Sequence, residues 1–170
     1  MLLDIAVTDP GTMSQNPFAM LTAIVAPAVL TNACSVLSLG TGNRLARVVD
    51  RTREIAVELT RLERNNEEYN FHIRQMEALQ ERAQLLVRAL RAFYGSLGGF
   101  AAAALLSLLG AALVSQHYQV SFRGTAIVAL VLGVYAVGSL AFGCILMVRE
   151  TRIAVQHLGE EAEWANRRYR

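Results

Sequence analysis

The stretch that decides the fold is "LTNACSVLSLGTGNRLARVVDRTREI", residues 30–55, in which an apolar run gives way to an arginine-rich segment within about one helical turn. Such an abrupt change is typical of a transmembrane helix that ends at the cytoplasmic surface, where basic side chains stop transfer. We therefore place the inner membrane surface at residues 40–43. The apolar part also carries small polar side chains, which need hydrogen-bond partners inside a bilayer.

The apolar residues of the chain cluster into three blocks. Apolar side chains make up 54% of the 170 residues, and the mean hydropathy is +0.33. The blocks cover residues 18–39, 92–115 and 125–148, and none has an ionised side chain in its middle. Each is about 22–24 residues long, enough to cross a hydrocarbon layer of about 30 Å as a helix. The sequence thus predicts an all-α integral membrane protein with three transmembrane helices.

The distribution of arginine predicts the topology. The first 17 residues have two acidic side chains and no basic one, whereas residues 44–91 hold ten arginines and the tail after Val148 holds five. Arginine-rich segments stay in the cytoplasm, so the N-terminus lies outside and the C-terminus inside. The predicted order is an outer tail (1–17), a first transmembrane helix (18–42), a cytoplasmic helical hairpin (43–91), two further transmembrane helices (92–148) joined by an outer loop (116–124), and a C-terminal cytoplasmic helix (149–170).

The predicted cytoplasmic segment follows a heptad repeat, the pattern of a coiled coil. One row is Leu45, Thr52, Leu59, Asn66, Ile73, Gln80 and Val87, and the other is Val48, Ile55, Leu62, Tyr69, Met76, Ala83 and Leu90. A single straight helix over this segment would extend about 75 Å from the membrane, although both of its ends must meet the inner surface. We therefore predict an antiparallel hairpin that turns near residues 65–70, where asparagines favour a turn.

Small residues recur at every fourth position of the second transmembrane helix. They are Gly95, Gly99, Ala103, Ser107, Ala111 and Ser115. Small side chains allow the backbones of neighbouring helices to approach closely in lipid, so this stripe predicts helix packing. Because a subunit with three membrane helices has little interior, we also expect a homo-oligomer.

The first transmembrane helix carries a polar face, made of Thr31, Asn32, Ser35 and Ser38. One interpretation is that these groups bond to their own helix or to a neighbouring helix and fix its register. The other is that they line a narrow hydrated path around the axis of an oligomer. Directly below this face, the sequence predicts a charge network at the membrane surface, between subunits and in contact with lipid phosphate. Its members are Arg44, Arg47, Asp50 and Arg51.

Motifs of enzymes and of cofactor or metal sites are not found in the sequence. The three histidines are isolated, Cys34 and Cys144 have no partners at ligand spacing, and phosphate-binding loops, nucleophile elbows and HExxH patterns are missing. Arginines interleaved with glutamates do not favour nucleic-acid binding. We therefore predict no catalytic residue, cofactor or metal, and no nucleic-acid partner. The remaining hypotheses are a structural or scaffolding assembly, an accessory subunit beside a partner membrane protein, or an ion channel lined by the first helix.

The run "APAVLTNACSVLSLGTGNRLARVVDRTREI", residues 26–55, resembles a bacterial membrane family known only as domain of unknown function 2721. The most specific piece is "NRLARVVDR", and the order of spans and helical segments is similar from residue 18 to about residue 148. The resemblance implies this topology and a location in the bacterial inner membrane. It implies no activity, cofactor or site residue.

Overall fold

Three long helices make up the fold. The computed structural model describes residues 17–62, 67–114 and 119–168, and within these ranges the chain is helical apart from a short turn. The helices are α1 (Pro17–Leu59), α2 (Glu67–Val114) and α3 (Gln119–Arg168). At 1.5 Å per residue each is about 65–75 Å long, roughly twice the thickness of a hydrocarbon core. Each helix therefore continues without a break from its apolar part into its charged part.

The chain reverses direction after α1. The backbone N–H of Arg61 donates to the carbonyl of Glu58 at 3.0 Å, a turn bond that closes the end of the helix. α2 then begins with Glu67 and Glu68, whose negative charges suit the positive N-terminal end of a helix.

Part of the predicted turn near residues 65–70 falls within α2, and the rest of it lies outside the described residues. Residues 60–62 already form a turn, and residues 67–70 belong to the first turn of α2. The preference of Asn70 for irregular backbone is overridden there because the preceding glutamates favour a helix start. Residues 63–66 are outside the described part of the chain.

α2 is the central helix, and α1 and α3 both pack against it in antiparallel orientation. In the arginine-rich half, Val48 and Ile55 of α1 bury against Leu79 and Leu86 of α2. On the other side of α2, Phe93 is fully buried against α3. α1 and α3 run parallel to each other and have few contacts of their own.

The predicted heptad rows describe α1 better than α2. Val48 and Ile55, which lie in one predicted row, are buried in the interface. In α2, however, Leu79 and Leu86 are buried, while the predicted row member Gln80 is exposed. Met76 and Ala83, which belong to a predicted row, pack against the same cluster, so the interface of α2 combines predicted row members with residues outside the rows.

Backbone contacts between α2 and α3 are close. A Cβ atom added to Gly99 would lie 2.9 Å from the Cβ of Ala136, and one added to Gly143 would lie 2.5 Å from Cε1 of Phe93. These are distances that real side chains do not adopt, so glycine is required at both positions for the helices to approach this closely.

Two reciprocal hydrogen bonds reinforce this interface. The Ser96 hydroxyl of α2 donates to the Ala136 carbonyl at 2.7 Å, and the Ser139 hydroxyl of α3 donates to the Ala92 carbonyl at 2.8 Å. In lipid, where apolar burial does not drive association, small residues and such interhelical bonds hold helices together.

Two helices carry an apolar stretch long enough to cross a membrane. These stretches lie within Glu67–Leu109 and Ile127–His157, and only 22% and 17% of their most apolar windows are buried inside the subunit. The core helix of a soluble protein would be mostly buried, so these surfaces are suited to lipid. This count of two concerns the described residues, and the predicted first span falls partly on residues of α1 whose side chains lie outside them.

The glycine contact gives a matched pair of substitutions. Gly99→Ala is expected to destabilise the protein by about 1–3 kcal/mol, because the new methyl group forces α2 and α3 apart. Gly98→Ala changes the same residue type one position away, where a Cβ would meet nothing within 4 Å, and should leave stability unchanged or slightly higher. Thermal unfolding in detergent, followed by circular dichroism, compares the two. Equal melting temperatures would contradict the close approach.

Candidate functional site

A buried carboxylate joins all three helices where the apolar part of α3 ends. Glu150 lies two residues after Val148, and its side chain is 2% exposed. Arg82 of α2 contacts Oε1 of Glu150 through Nε and Nη2, both at 2.9 Å. Arg44 of α1 donates from Nη1 to Oε2 at 3.4 Å. The two carboxylate oxygens thus bind one arginine each, from two different helices.

Hydroxyl groups extend this arrangement. Nη1 of Arg44 also donates to the Thr151 hydroxyl at 3.2 Å. Thr41, which is almost fully buried, donates to the Leu37 carbonyl at 2.7 Å and contacts the Met147 sulfur at 3.5 Å. We call the five residues Thr41, Arg44, Arg82, Glu150 and Thr151 the inner polar cluster.

The energetics of the inner polar cluster depend on the burial of Glu150. An ionised carboxylate taken out of water without partners costs several kcal/mol, and ion pairs with good geometry offset that cost. The two arginines are not equally placed, since the side chain of Arg82 is 26% exposed and that of Arg44 is 49% exposed. Arg82 is therefore the stronger partner, and Arg44 keeps part of its guanidinium at the surface.

The polar groups of the inner polar cluster are bonded to one another and to the backbone. Both oxygens of Glu150 are occupied by guanidinium groups, and hydroxyls bond to backbone or to arginine. Across the described ranges, no group of three His, Cys, Asp or Glu side chains lies close enough to hold a metal ion. The arrangement fixes the relative positions of three helices and leaves the guanidinium group of Arg44 half-exposed.

The structure does not bring the four predicted charge-network residues together within the subunit. Arg44 binds Glu150, Arg51 pairs with Glu54 at 2.9 Å, and Asp50 pairs with Arg53 at 3.8 Å. Arg47 is exposed on the same helix. Adjacent charges such as Asp50 and Arg51 point in different directions, because residues one or two apart on a helix do not face each other. A network between subunits stays a prediction.

The predicted polar face of α1 is divided between two environments. Ser38 is buried inside the subunit, and its hydroxyl has no hydrogen-bond partner among the residues described. Asn32 and Ser35 are exposed, and the Ser35 hydroxyl donates to the carbonyl of Thr31 in its own helix at 3.0 Å. The four residues therefore do not form one continuous lining.

Cys34 faces α2 between these positions. It is fully buried, and its sulfur lies 3.4 Å from the Ser96 hydroxyl of α2, which itself donates to α3. Cys144, in contrast, is exposed. The polar contacts at Ser96 thus link the apolar parts of all three helices.

The small-residue stripe of α2 contacts α3 over part of its length. A Cβ at Gly95 would meet the side chains of Ser139 and Tyr135 at 3.4 Å, and Gly99 is closer still to α3. Ser107 is exposed and bonds to the Ala103 carbonyl of its own helix. The side chain of Ala111 and all of Ser115 lie outside the described residues.

The sequence-based reading missed Arg82 and Glu150, which carry the site. A signal for Glu150 was present: it lies seven residues after Gly143 and fourteen after Ala136, and both of these are buried against α2. Extending that row by one heptad places a carboxylate on a buried face. Its partner Arg82 is 68 residues away along the chain, and no local pattern distinguishes it from the other arginines.

The fold and the inner polar cluster define an all-helical membrane protein whose helices are joined by a buried carboxylate at the end of their apolar parts. The chain belongs to the family described as "Protein of unknown function (DUF2721)", whose model matches residues 24–160. The predicted family is thereby confirmed, and the match extends beyond residue 148 to include Glu150. No curated protein and no solved structure matches the chain.

Removing the charge of Glu150 tests its role. Glu150→Gln should lower the free energy of unfolding by about 1–3 kcal/mol, because two arginines then face each other without a counter-charge. Glu54→Gln is the matched control, since Glu54 forms an exposed pair with Arg51 and such pairs contribute about 1 kcal/mol or less. Thermal unfolding in detergent measures both. If Glu54→Gln lowered the melting temperature as much as Glu150→Gln, the stabilising role of Glu150 would be contradicted.

Proposed function

We propose that this protein is a non-enzymatic, homo-oligomeric protein of the bacterial inner membrane that acts as a structural scaffold or as an accessory subunit of a membrane complex. In this proposal three helices cross the membrane, the N-terminus is outside, and the hairpin and the C-terminal helix lie in the cytoplasm. The observation that carries the proposal is Glu150, held by arginines from both other helices. It couples the membrane part rigidly to the cytoplasmic part.

The packing of α1 supports a third membrane crossing. Leu30 packs against Phe100, and Cys34 contacts Ser96, so this part of α1 lies beside the apolar stretch of α2. A helix that lies alongside a membrane-spanning helix at the same depth shares its lipid environment. The arginines that follow in α1 favour a cytoplasmic location for the hairpin.

The nature of the charged groups supports a structural rather than a catalytic role. Enzymes place titratable groups in clefts where a substrate can reach them. Here the buried carboxylate is covered by two guanidinium groups and by the packed helices. The exposed arginines that surround it suit lipid phosphate at the membrane surface.

The assembly state tests the scaffold proposal directly. The full-length protein in a lipid nanodisc should have a mass of at least two chains of 18.6 kDa, after subtraction of lipid and belt protein. The mass should be unchanged when the nanodiscs are diluted up to a hundredfold, because dilution leaves the subunits of one disc in the same lipid bilayer. Mass photometry or native mass spectrometry measures it. A single-chain mass at every concentration would overturn the homo-oligomer, and a constant second protein would favour the accessory role.

An ion channel is the second candidate function, and the exposure of Asn32 and Ser35 favours it. Polar groups on the outward face of α1 would line a path if several subunits surrounded an axis with these faces inward. Ser38 is buried within the subunit, so such a path would not use it.

Salt flux in liposomes distinguishes the two candidates. The scaffold proposal predicts no flux above that of empty liposomes, for the wild-type protein and for Ser35→Leu alike. A channel would give flux from the wild-type protein that falls at least fivefold in Ser35→Leu, since leucine would close the polar path. Ser107→Leu, at an exposed serine of α2, is the control and should leave any flux unchanged.

A further inference from the structure

An amide side chain lies on the outward surface of α1 at the depth of the apolar stretches. Asn32 is exposed, and it is two residues from Cys34, which contacts the apolar part of α2. Its carboxamide has no hydrogen bond with any other described residue. A carboxamide offers two N–H donors and a carbonyl acceptor, and hydrocarbon can satisfy neither. None of the described residues supplies that partner, and a neighbouring subunit can.

The surface around Asn32 has the pattern of a helix-packing interface. Exposed positions recur at intervals of seven residues, and they are Val25, Asn32, Leu39 and Ala46. Three residues after the first three of them come small residues, namely Ala28, Ser35 and Gly42. A heptad repeat of this kind is typical of a left-handed helix pair, and small residues shorten the distance between its axes.

This outward face is distinct from the face that α1 uses within the subunit. α2 and α3 contact the opposite side of α1, where Cys34, Thr41 and Val48 are buried. On the outward side, a Cβ added at Gly42 would meet nothing within 4 Å. Farther into the arginine-rich part, Asp50 and Arg53 pair with each other. The unpartnered face therefore extends through the apolar half of α1 to Ala46.

We propose that a second copy of this chain docks on the outward face of α1, parallel to it, with the Asn32 carboxamides of the two copies hydrogen-bonded to each other. This inference rests on the homo-oligomer of the proposed function and names its interface. A carboxamide is donor and acceptor at once, so it is complementary to itself across a twofold axis. Copies inserted in the same orientation hold Asn32 at the same depth, which a parallel pair requires.

The single asparagine also explains specificity. One polar residue in an otherwise apolar heptad row fixes both the register and the number of helices, because a slipped pair would leave its amide unsatisfied. Ser35 does not compete, since its hydroxyl is bonded to the carbonyl of Thr31. Paired in this way, Asn32 closes the polar face, as a scaffold requires.

Cysteine cross-linking of the full-length protein in native membranes tests the interface. Leu39→Cys lies one heptad below Asn32, and Ile145→Cys is the control on α3. Both positions are exposed, and they are matched in depth because each precedes by two residues a member of the Thr41–Met147 contact. Both variants carry Cys144→Ser, which removes the exposed native thiol. A disulfide requires Cα atoms about 4.4–6.8 Å apart, so it reports direct contact.

We expect oxidation to give at least tenfold more cross-linked dimer from Leu39→Cys than from Ile145→Cys. Adding Asn32→Leu to Leu39→Cys should lower the yield at least fivefold, whereas Asn32→Gln, which keeps the amide, should retain it. If Asn32→Leu fails to fold, the comparison of Leu39→Cys with Ile145→Cys still decides whether this face is the interface.

Other outcomes separate this inference from the proposed function. Equal cross-linking at both positions, an effect of Asn32→Leu below twofold, or cross-linking of Leu39→Cys to a different protein would overturn the interface. A nanodisc mass of two or more chains beside any of these results would leave the homo-oligomer standing. A single-chain mass would remove both.

Discussion

The structure depends on a carboxylate that is withdrawn from water and still has its charge balanced. Glu150 of α3 is held by Arg82 from α2 and by Arg44 from α1, so the bonds to its two oxygens fix the relative positions of the three helices. A slide of one helix by a single turn, about 5.4 Å, would separate a guanidinium group from its oxygen and leave a buried charge unpaired. Because none of the helices breaks near this level, the register set at Glu150 extends in both directions along the molecule.

On either side of Glu150, different forces hold the helices together. Toward the apolar ends, contacts rely on small residues and neutral hydrogen bonds, such as those of Ser96 and Ser139 with carbonyls of the facing helix. Toward the turn, large apolar side chains including Ile55 and Leu86 bury against each other, as in a soluble helical hairpin. This division agrees with the proposed change of solvent from lipid to water, since apolar burial stabilises contacts in water and contributes little between helices in lipid. The inner polar cluster lies between the part held by small residues and the part held by large apolar side chains.

Much of the fold follows from the sequence because apolar blocks and the distribution of charge can be recognised along the chain without knowing which residues meet in space. The helical class, two apolar spans, the reversal between α1 and α2, and the buried row of Val48 and Ile55 could be predicted in this way. The full face of α2 could not, because Leu79 and Leu86, which lie outside the predicted rows, are buried beside the row members Met76 and Ala83. The pairing of Arg82 with Glu150 could not either, since it depends on the register of helices distant in sequence. The heptad spacing of Glu150 from Ala136 and Gly143 indicates a buried face, but it does not indicate which arginine pairs with the carboxylate.

In the proposed assembly, the unequal faces of α1 connect contacts in the membrane with geometry in the cytoplasm. Its inward face is covered by the chain itself, whereas Asn32 on its outward face is exposed. α1 passes from the apolar part into the hairpin as one continuous helix. A partner that docks beside Asn32 therefore sets the distance and angle between the attached hairpins, with Glu150 transmitting the same constraint to α2 and α3. The cytoplasmic surface that a scaffold would offer is then determined by contacts made within the lipid.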